Sequence, residues 1–151
     1  MNLINERLIE VHSSLCSKEA IIKQVAGLLF AENRVTDRDG FIADLYAREE
    51  ELSTSMGLGI AIPHAKSCHV RCPSLVFIKL AEPVSWNEDS VRLVFGIAVS
   101  KEQAGEMHLK ILSQLARKLM NDCFRDTLFG VSDRQEAYKA LAFLNGEAAQ
   151  P

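Results

Sequence analysis

Cysteine, proline, glycine and tryptophan are all scarce in this chain of 151 residues, which has four, four, eight and one of them, respectively. A disulfide scaffold needs more cysteine, and a collagen-like or low-complexity chain needs more glycine and proline, so these classes are excluded. Acidic residues outnumber basic ones by 20 to 17, for a net charge of −3. General nucleic-acid binders typically carry a basic excess, so no nucleic-acid partner is expected.

Long apolar runs are also missing. No window approaches the ~20 uninterrupted apolar residues that a membrane-spanning helix needs. The first residues lack both the basic start and the apolar stretch of a signal peptide. We therefore expect a cytoplasmic protein that does not insert into a membrane and whose cysteines are reduced thiols.

The composition that remains is typical of a globular protein, with 48% hydrophobic and 25% charged residues. Because domains commonly contain ~100–200 residues, one domain is expected. We place this domain at residues 1–146. The small and polar residues 147–151 are expected to form a mobile tail.

Apolar residues at helical spacing predict four helices, at 17–31, from near 37 or 39 to about 50, at 106–120, and at 132–144. Ser17 is the expected cap of the first helix, and Ser132 opens the last one with the spacing of a capping box.

Runs of β-branched and aromatic residues predict strands at 60–62, 75–80 and 91–99, with turn-forming residues at Glu82-Pro83 and at 87–90. The order of elements predicts an α/β fold in which helices cover a sheet of mixed topology.

The segment from Arg48 to Lys66 differs from the rest of the chain because a polar loop leads into a short apolar strand and then Pro63-His64. Proline donates no backbone hydrogen bond, so the strand is predicted to end there and to hold His64 rigidly at its end. Lys66, His69 and Arg71 follow as a local group of cations. This group is either a capture site for phosphate or a partner, or an ordinary solvated edge.

The residue types in this segment form a pattern with a fixed gap: Glu49, then Met56-Gly57, then Ile60-Ala61-Ile62-Pro63-His64-Ala65. This pattern resembles the active-site signature of the enzyme IIA proteins of the phosphotransferase system (PTS), in the mannitol/fructose class known as EIIA type 2. That class includes a nitrogen-regulatory branch. The resemblance extends from about Leu3 to Asn145.

The resemblance implies a phosphocarrier for sugar uptake, with a mixed β-sheet flanked by helices on both faces. A histidine at the position of His64 would accept a phosphoryl group from the carrier HPr or its regulatory counterpart. It would pass the group to a cysteine of a cognate enzyme IIB, which serves a membrane enzyme IIC. No cofactor and no metal are implied.

The resemblance also implies roles for other residues. Arg48 would stabilise the phosphoryl group, His108 would be a second active-site histidine, and Thr54 matches a family threonine. Lys66 is a candidate phosphate-binding cation. The chain has Ser55 and Ala65 where the family often has glycine, which affects the loop more than the chemistry.

The chemistry agrees with these roles, because transfer between histidines needs a neutral imidazole, which an ordinary pKa of about 6.5 supplies at pH 7. Each residue also has a structural interpretation: His108 as a core histidine, Arg48 as a cation at a helix end, and Thr54 as a loop cap. His64, Cys68, His69 and Cys72 have no recognised zinc spacing.

Two other functions stay open. The phosphohistidine could be a regulatory signal read by bound partners, as in the nitrogen-regulatory branch. The chain could also be a non-catalytic module from a PTS-regulated transcription regulator, although the presence of Arg48, His64 and His108 argues against this.

Overall fold

The computed structural model describes residues 2–145, apart from the side chains of Gln103, Ala104, Met107 and His108. The strands in this part of the chain are β1 (Ile9–Ser13), β2 (Ser55–Gly57), β3 (Ile60–Ala61), β4 (His64–Ser67), β5 (Ser74–Trp86) and β6 (Asp89–Ser100). The α-helices are α1 (Lys18–Ala31), α2 (Arg38–Glu51), α3 (Ala104–Leu119), α4 (Asp122–Gly130) and α5 (Arg134–Leu141). The predicted tail at 147–151 lies outside the described residues.

The long strand β6 organises a six-stranded mixed sheet. One edge of β6 pairs antiparallel with β5, which in turn pairs parallel with β1. The other edge pairs parallel with β3 and then with β4. Strand β2 pairs antiparallel with β3 and completes the sheet. Both short strands next to Pro63 are therefore held by the same long strand.

Both faces of β6 are covered. Residues 93–99 are all buried, and their side chains alternate between the two faces of the sheet. Helix α1 covers one face, where Val25 packs over Gly96. On the opposite face Phe95 packs against Phe77, with ring centroids 5.1 Å apart, while α3 packs on β6 and α5 on β1. The predicted α/β architecture, with helices on both faces of a mixed sheet, is confirmed.

The predicted helices are confirmed with small changes at their ends. Ser17 caps α1 by accepting a hydrogen bond from the Ala20 amide, and Asp37 caps α2 in the same way from Gly40. The cap of α5 is Asp133 and not Ser132, because the Asp133 carboxylate accepts from the Glu136 amide. The Ser132 hydroxyl instead donates to the Glu136 carboxylate.

The expected break at Glu82-Pro83 is wrong. Strand β5 continues to Trp86, and its register with β6 shifts between Lys79 and Val84. The shift leaves Pro83 in an exposed irregularity, where a missing amide donor costs no ladder hydrogen bond. The turn follows at Asn87, which has a positive φ of 58°.

Four elements have no counterpart in the sequence-based prediction, namely β1, β2, β4 and α4. The three strands have only three to five residues each. Strands β1 and β4 pair with strands distant in sequence, and β2 pairs with the two-residue strand β3. Such short segments carry too little periodicity to be distinguished from loops.

Two further findings concern the described residues only. None of their helices has the length and apolarity needed to cross a membrane. Cys16, Cys68 and Cys123 are exposed free thiols.

Gly96 is required where α1 approaches the sheet. A Cβ at this position would lie 2.5 Å from Cγ1 of Val25. We expect Gly96→Ala to lower the free energy of unfolding by about 1–3 kcal/mol, because an overpacked core must shift. Urea unfolding followed by the fluorescence of Trp86, which is fully buried, measures the change.

Gly130→Ala is the matched control, because a Cβ at Gly130 meets no atom within 4 Å among the described residues. Its free energy of unfolding should stay within about 0.5 kcal/mol of the parent value. Equal losses for the two variants would contradict the packing argument.

Candidate functional site

A surface depression of about 500 Å³ lies between α2 and β4. Its described walls carry five charged side chains, which come from α2, β4 and the segment before α3, and the imidazole of the first residue of β4. The lining residues are Asp44, Ala47, Arg48, Glu51, His64, Ala65, Lys66 and Lys101. The depression can therefore hold a small charged group against a histidine.

Helix α2 presents Arg48 to this depression. Asp44 lies four residues before Arg48 and Glu51 three residues after it, so all three share one helix face. The Arg48 guanidinium donates from Nη1 to the carbonyl oxygen of Leu52 at 2.7 Å. This bond satisfies a carbonyl at the end of the helix and holds the guanidinium beside the depression.

His64 is fixed by β6 through its own backbone and that of its neighbour. It pairs with Ile97 as the first residue of β4, and the Ile97 amide donates to the Pro63 carbonyl at 3.0 Å. The prediction that His64 stands at the end of a strand is therefore wrong, because a second short strand begins there. Pro63 interrupts the ladder between the two strands, since it has no amide hydrogen.

The hydrogen bond of the His64 ring defines its tautomer. Nδ1 lies 2.7 Å from the carbonyl oxygen of Ile62. A carbonyl oxygen can only accept, so Nδ1 carries the hydrogen and donates it. In the neutral ring the lone pair is then on Nε2, which is the nitrogen that can act as a nucleophile.

Burial lowers the pKa of the His64 imidazole below its usual 6.5, and the nearby charges of Arg48 and Lys66 lower it further. The hydrogen bond to Ile62 and the Glu49 carboxylate act in the opposite direction. The residue as a whole is only 9% exposed. At neutral pH the ring is accordingly uncharged and nucleophilic.

The remaining predicted site residues are Lys66, Thr54 and His108, and they have different positions relative to the depression. Lys66 lines the depression with His64 and Arg48. Thr54 is buried, is absent from the described lining, and donates from both its amide and its hydroxyl to the Glu49 carboxylate. The backbone of His108 belongs to α3, but its side chain lies outside the described residues.

His69 and Arg71 are absent from the described lining of the depression. The His69 ring packs on α2, where a Cβ added to Gly40 would lie 2.5 Å from its Nε2. The Arg71 amide donates to the Arg34 carbonyl. Of the three cations grouped by sequence, the described lining of the depression includes only Lys66.

Sequence reasoning missed Asp44, Glu51 and Lys101 as lining residues. The helical spacing of Asp44 and Glu51 around Arg48 was a usable signal for two of them. The sequence analysis also gave Glu49 no role. This residue continues the buried stripe of Phe41 and Leu45 on α2 at intervals of four residues.

No group of three potential metal ligands occurs among the residues whose positions are described.

The family model "Phosphoenolpyruvate-dependent sugar phosphotransferase system, EIIA 2" matches residues 2–143. The chain belongs to this family. The resemblance to the EIIA type 2 class that was inferred from the segment around His64 is thereby confirmed.

Relatives of very different length support this membership. The PTS system fructose-specific EIIA component of Haloferax volcanii is 36% identical over 138 residues, with 89% of each chain covered. Multiphosphoryl transfer protein 2 of Escherichia coli is 34% identical over 126 residues, which are 83% of this chain. The match covers only 15% of that larger protein.

Solved structures of EIIA chains have the same fold. The nitrogen regulatory protein IIA-Ntr of Neisseria meningitidis has a TM-score of 0.85 at 30% identity, with 92% of this chain and 96% of that chain covered. In a complex of the E. coli mannitol enzyme IIA with phosphorylated enzyme IIB, the TM-score is 0.79 at 22% identity, with coverage of 93% and 97%. At that identity the second likeness concerns the fold alone.

The charge of Arg48 should be visible in the titration of His64 in this EIIA chain. We expect an NMR midpoint below 6.5, and Arg48→Gln should raise it, because the guanidinium disfavours the imidazolium. Lys23→Gln, which removes one exposed positive charge from α1, should leave the midpoint unchanged. Equal midpoints in all three proteins would contradict the assigned electrostatics.

The lowered pKa of His64 also affects the stability of the folded chain. The His64 ring protonates more readily in the unfolded chain than in the folded one. The contribution of the neutral ring to the free energy of unfolding is therefore lost as the pH falls below about 6.5. His64→Phe should therefore make the free energy of unfolding, measured by urea unfolding at a series of pH values, less sensitive to pH below about 6.5.

Proposed function

We propose that this chain is a phosphocarrier that accepts a phosphoryl group on Nε2 of His64. The donor would be the phosphohistidine of HPr or an HPr-like protein, and the acceptor would be a cysteine of a cognate enzyme IIB that serves a membrane enzyme IIC. The cytoplasmic location expected from the sequence is part of the same proposal.

One observation carries the proposal: the His64 ring donates from Nδ1 to Ile62 within a depression that also holds Arg48 and Lys66. The bond directs the lone pair to Nε2, and burial keeps the ring uncharged. A nucleophile with nearby cations is the arrangement that phosphoryl transfer requires, since the reaction depends on positioning and on charge stabilisation.

The transfer balances without further reactants. The Nε2 lone pair forms the new N–P bond as the N–P bond of the donor breaks, and the donor imidazole keeps the electron pair. The hydrogen stays on Nδ1 throughout and remains donated to the Ile62 carbonyl oxygen. We propose that Arg48 and Lys66 stabilise the charge on the phosphoryl oxygens, and that His108 assists as a second histidine. Thr54 would act through the loop that contains it.

A regulatory role is the second candidate. It is favoured by the likeness to the nitrogen regulatory protein of N. meningitidis, at a TM-score of 0.85. The 36% identity to a fructose-specific EIIA component favours transport. Transfer of label from the phosphorylated chain to a cysteine of enzyme IIB would support transport, whereas phosphorylation that only changes binding to another protein would support regulation.

Phosphorylation can be tested with labelled phosphoenolpyruvate, enzyme I and HPr. We expect an acid-labile, base-stable label on His64 that is absent from His64→Ala and slower to form in His108→Ala. His69→Ala is the matched control, because its ring packs on α2 outside the described lining of the depression, and it should be labelled at the parent rate.

A label on His69 or on a cysteine, with His64→Ala labelled normally, would reject the assignment. Folded His64→Ala is needed for this comparison, and its far-ultraviolet circular dichroism should match the parent protein. A parent chain that stays unlabelled would leave only the non-catalytic alternative.

Arg48 can be tested by kinetics. Arg48→Gln should slow phosphorylation of His64 roughly 10²-fold to 10³-fold, as is typical when one charge-stabilising donor is lost. Single-turnover transfer from phosphorylated HPr measures the rate, and Lys23→Gln is again the control. A variant that reacts as fast as the parent would show that Arg48 does not stabilise the phosphoryl group.

A further inference from the structure

Glu49 is a buried carboxylate next to Arg48 in the last turn of α2. It is 6% exposed and is absent from the described lining of the depression. A carboxylate removed from water is costly unless it is paired and hydrogen-bonded, so such a residue needs a structural or functional reason.

The Glu49 carboxylate has partners on three sides. The Lys18 ammonium lies 3.1 Å from Oε2, and the Trp86 indole N–H donates to the same oxygen at 3.4 Å. The Thr54 amide donates at 3.2 Å, and the Thr54 hydroxyl donates to Oε1. Lys18 is itself held, because it donates to Asn87 at 2.8 Å and lies over the Trp86 ring.

Two further hydrogen bonds connect Thr54 to the His64 ring. The Thr54 carbonyl accepts from the Ile62 amide at 2.9 Å. The Ile62 carbonyl then accepts from Nδ1 of His64 at 2.7 Å. Ile62, whose carbonyl determines the His64 tautomer, is therefore anchored through its amide and Thr54 to the buried carboxylate.

The same carboxylate borders the segment that holds Arg48. The Arg48 guanidinium donates to the Leu52 carbonyl, and Leu52 lies in the short segment between Glu49 and Thr54. Because Glu49 ties Thr54 to α2, it closes this segment into a compact loop. Both the guanidinium and the imidazole thus depend on one anchor.

We propose that Glu49 is a positioning residue for phosphoryl transfer, which fixes the Thr54 and Ile62 peptides so that His64 presents Nε2 beside Arg48. This inference rests on the proposed function of His64. In this proposal Glu49 does not touch the phosphoryl group, and its positioning effect passes through the loop and the Ile62 carbonyl, apart from the influence of its charge on the His64 pKa.

The test compares Glu49→Gln with Glu50→Gln, which removes one exposed carboxylate from the next position of α2. Glu49→Gln should slow single-turnover phosphorylation by phosphorylated HPr about 10-fold to 10²-fold, because small misplacement of reacting groups is costly. Glu50→Gln should react within about twofold of the parent rate, as expected for an exposed position away from the site.

A second measurement separates positioning from general loss of structure. In ¹⁵N NMR spectra of the unphosphorylated protein, the neutral His64 ring should be in the Nδ1–H form, and Glu49→Gln should increase the fraction of the Nε2–H form. A Glu49→Gln protein that keeps both the parent tautomer and the parent rate would overturn the proposal.

Thr54→Val keeps the proposal testable if Glu49→Gln does not fold. It removes the hydroxyl donor to Glu49 and preserves the backbone link to Ile62, so its rate should fall between those of the parent and Glu49→Gln. An unchanged rate and an unchanged tautomer in Thr54→Val would count against the anchor. If the parent is never phosphorylated on His64, the proposed function fails, whereas the tautomer comparison still tests the anchor.

Discussion

The hydrogen bond from Nδ1 of His64 to the carbonyl of Ile62 is the interaction on which the site depends. It joins two residues of one short segment, yet it decides which ring nitrogen has the lone pair. A ring free to exchange tautomers would offer the wrong nitrogen part of the time. The remaining structure serves to keep this carbonyl and this ring in a fixed relation.

The sheet supplies the first part of that support. Strand β6 takes Ile60–Ala61 and then His64–Ser67 as successive parallel neighbours on one edge, and Pro63 lies between them. Because β6 is buried on both faces, its position is determined by the core and not by the surface loops. The histidine thus belongs to a strand that pairs with this buried strand, while its ring borders the depression.

The charged side chains around the depression are the second feature that supports the site. Arg48 and Lys66 disfavour an imidazolium at His64. In the proposed function the same two cations would also stabilise the phosphoryl anion. Asp44 and Glu51 line the same depression and limit its net positive charge. A carrier must release its phosphoryl group as well as accept it, and a mixed lining is consistent with transfer in both directions.

The sequence by itself determined the helices at 17–31 and 37–50, the two long strands, the α/β class and the family, because these depend on local periodicity and on a fixed pattern around His64. It also identified Arg48 and Lys66, which now lie with His64 around one depression. Only the tertiary structure decided that His64 starts a strand and that Glu49 is buried among Lys18, Thr54 and Trp86. Those facts depend on contacts between residues far apart in the chain, for which a short segment carries no periodic signal.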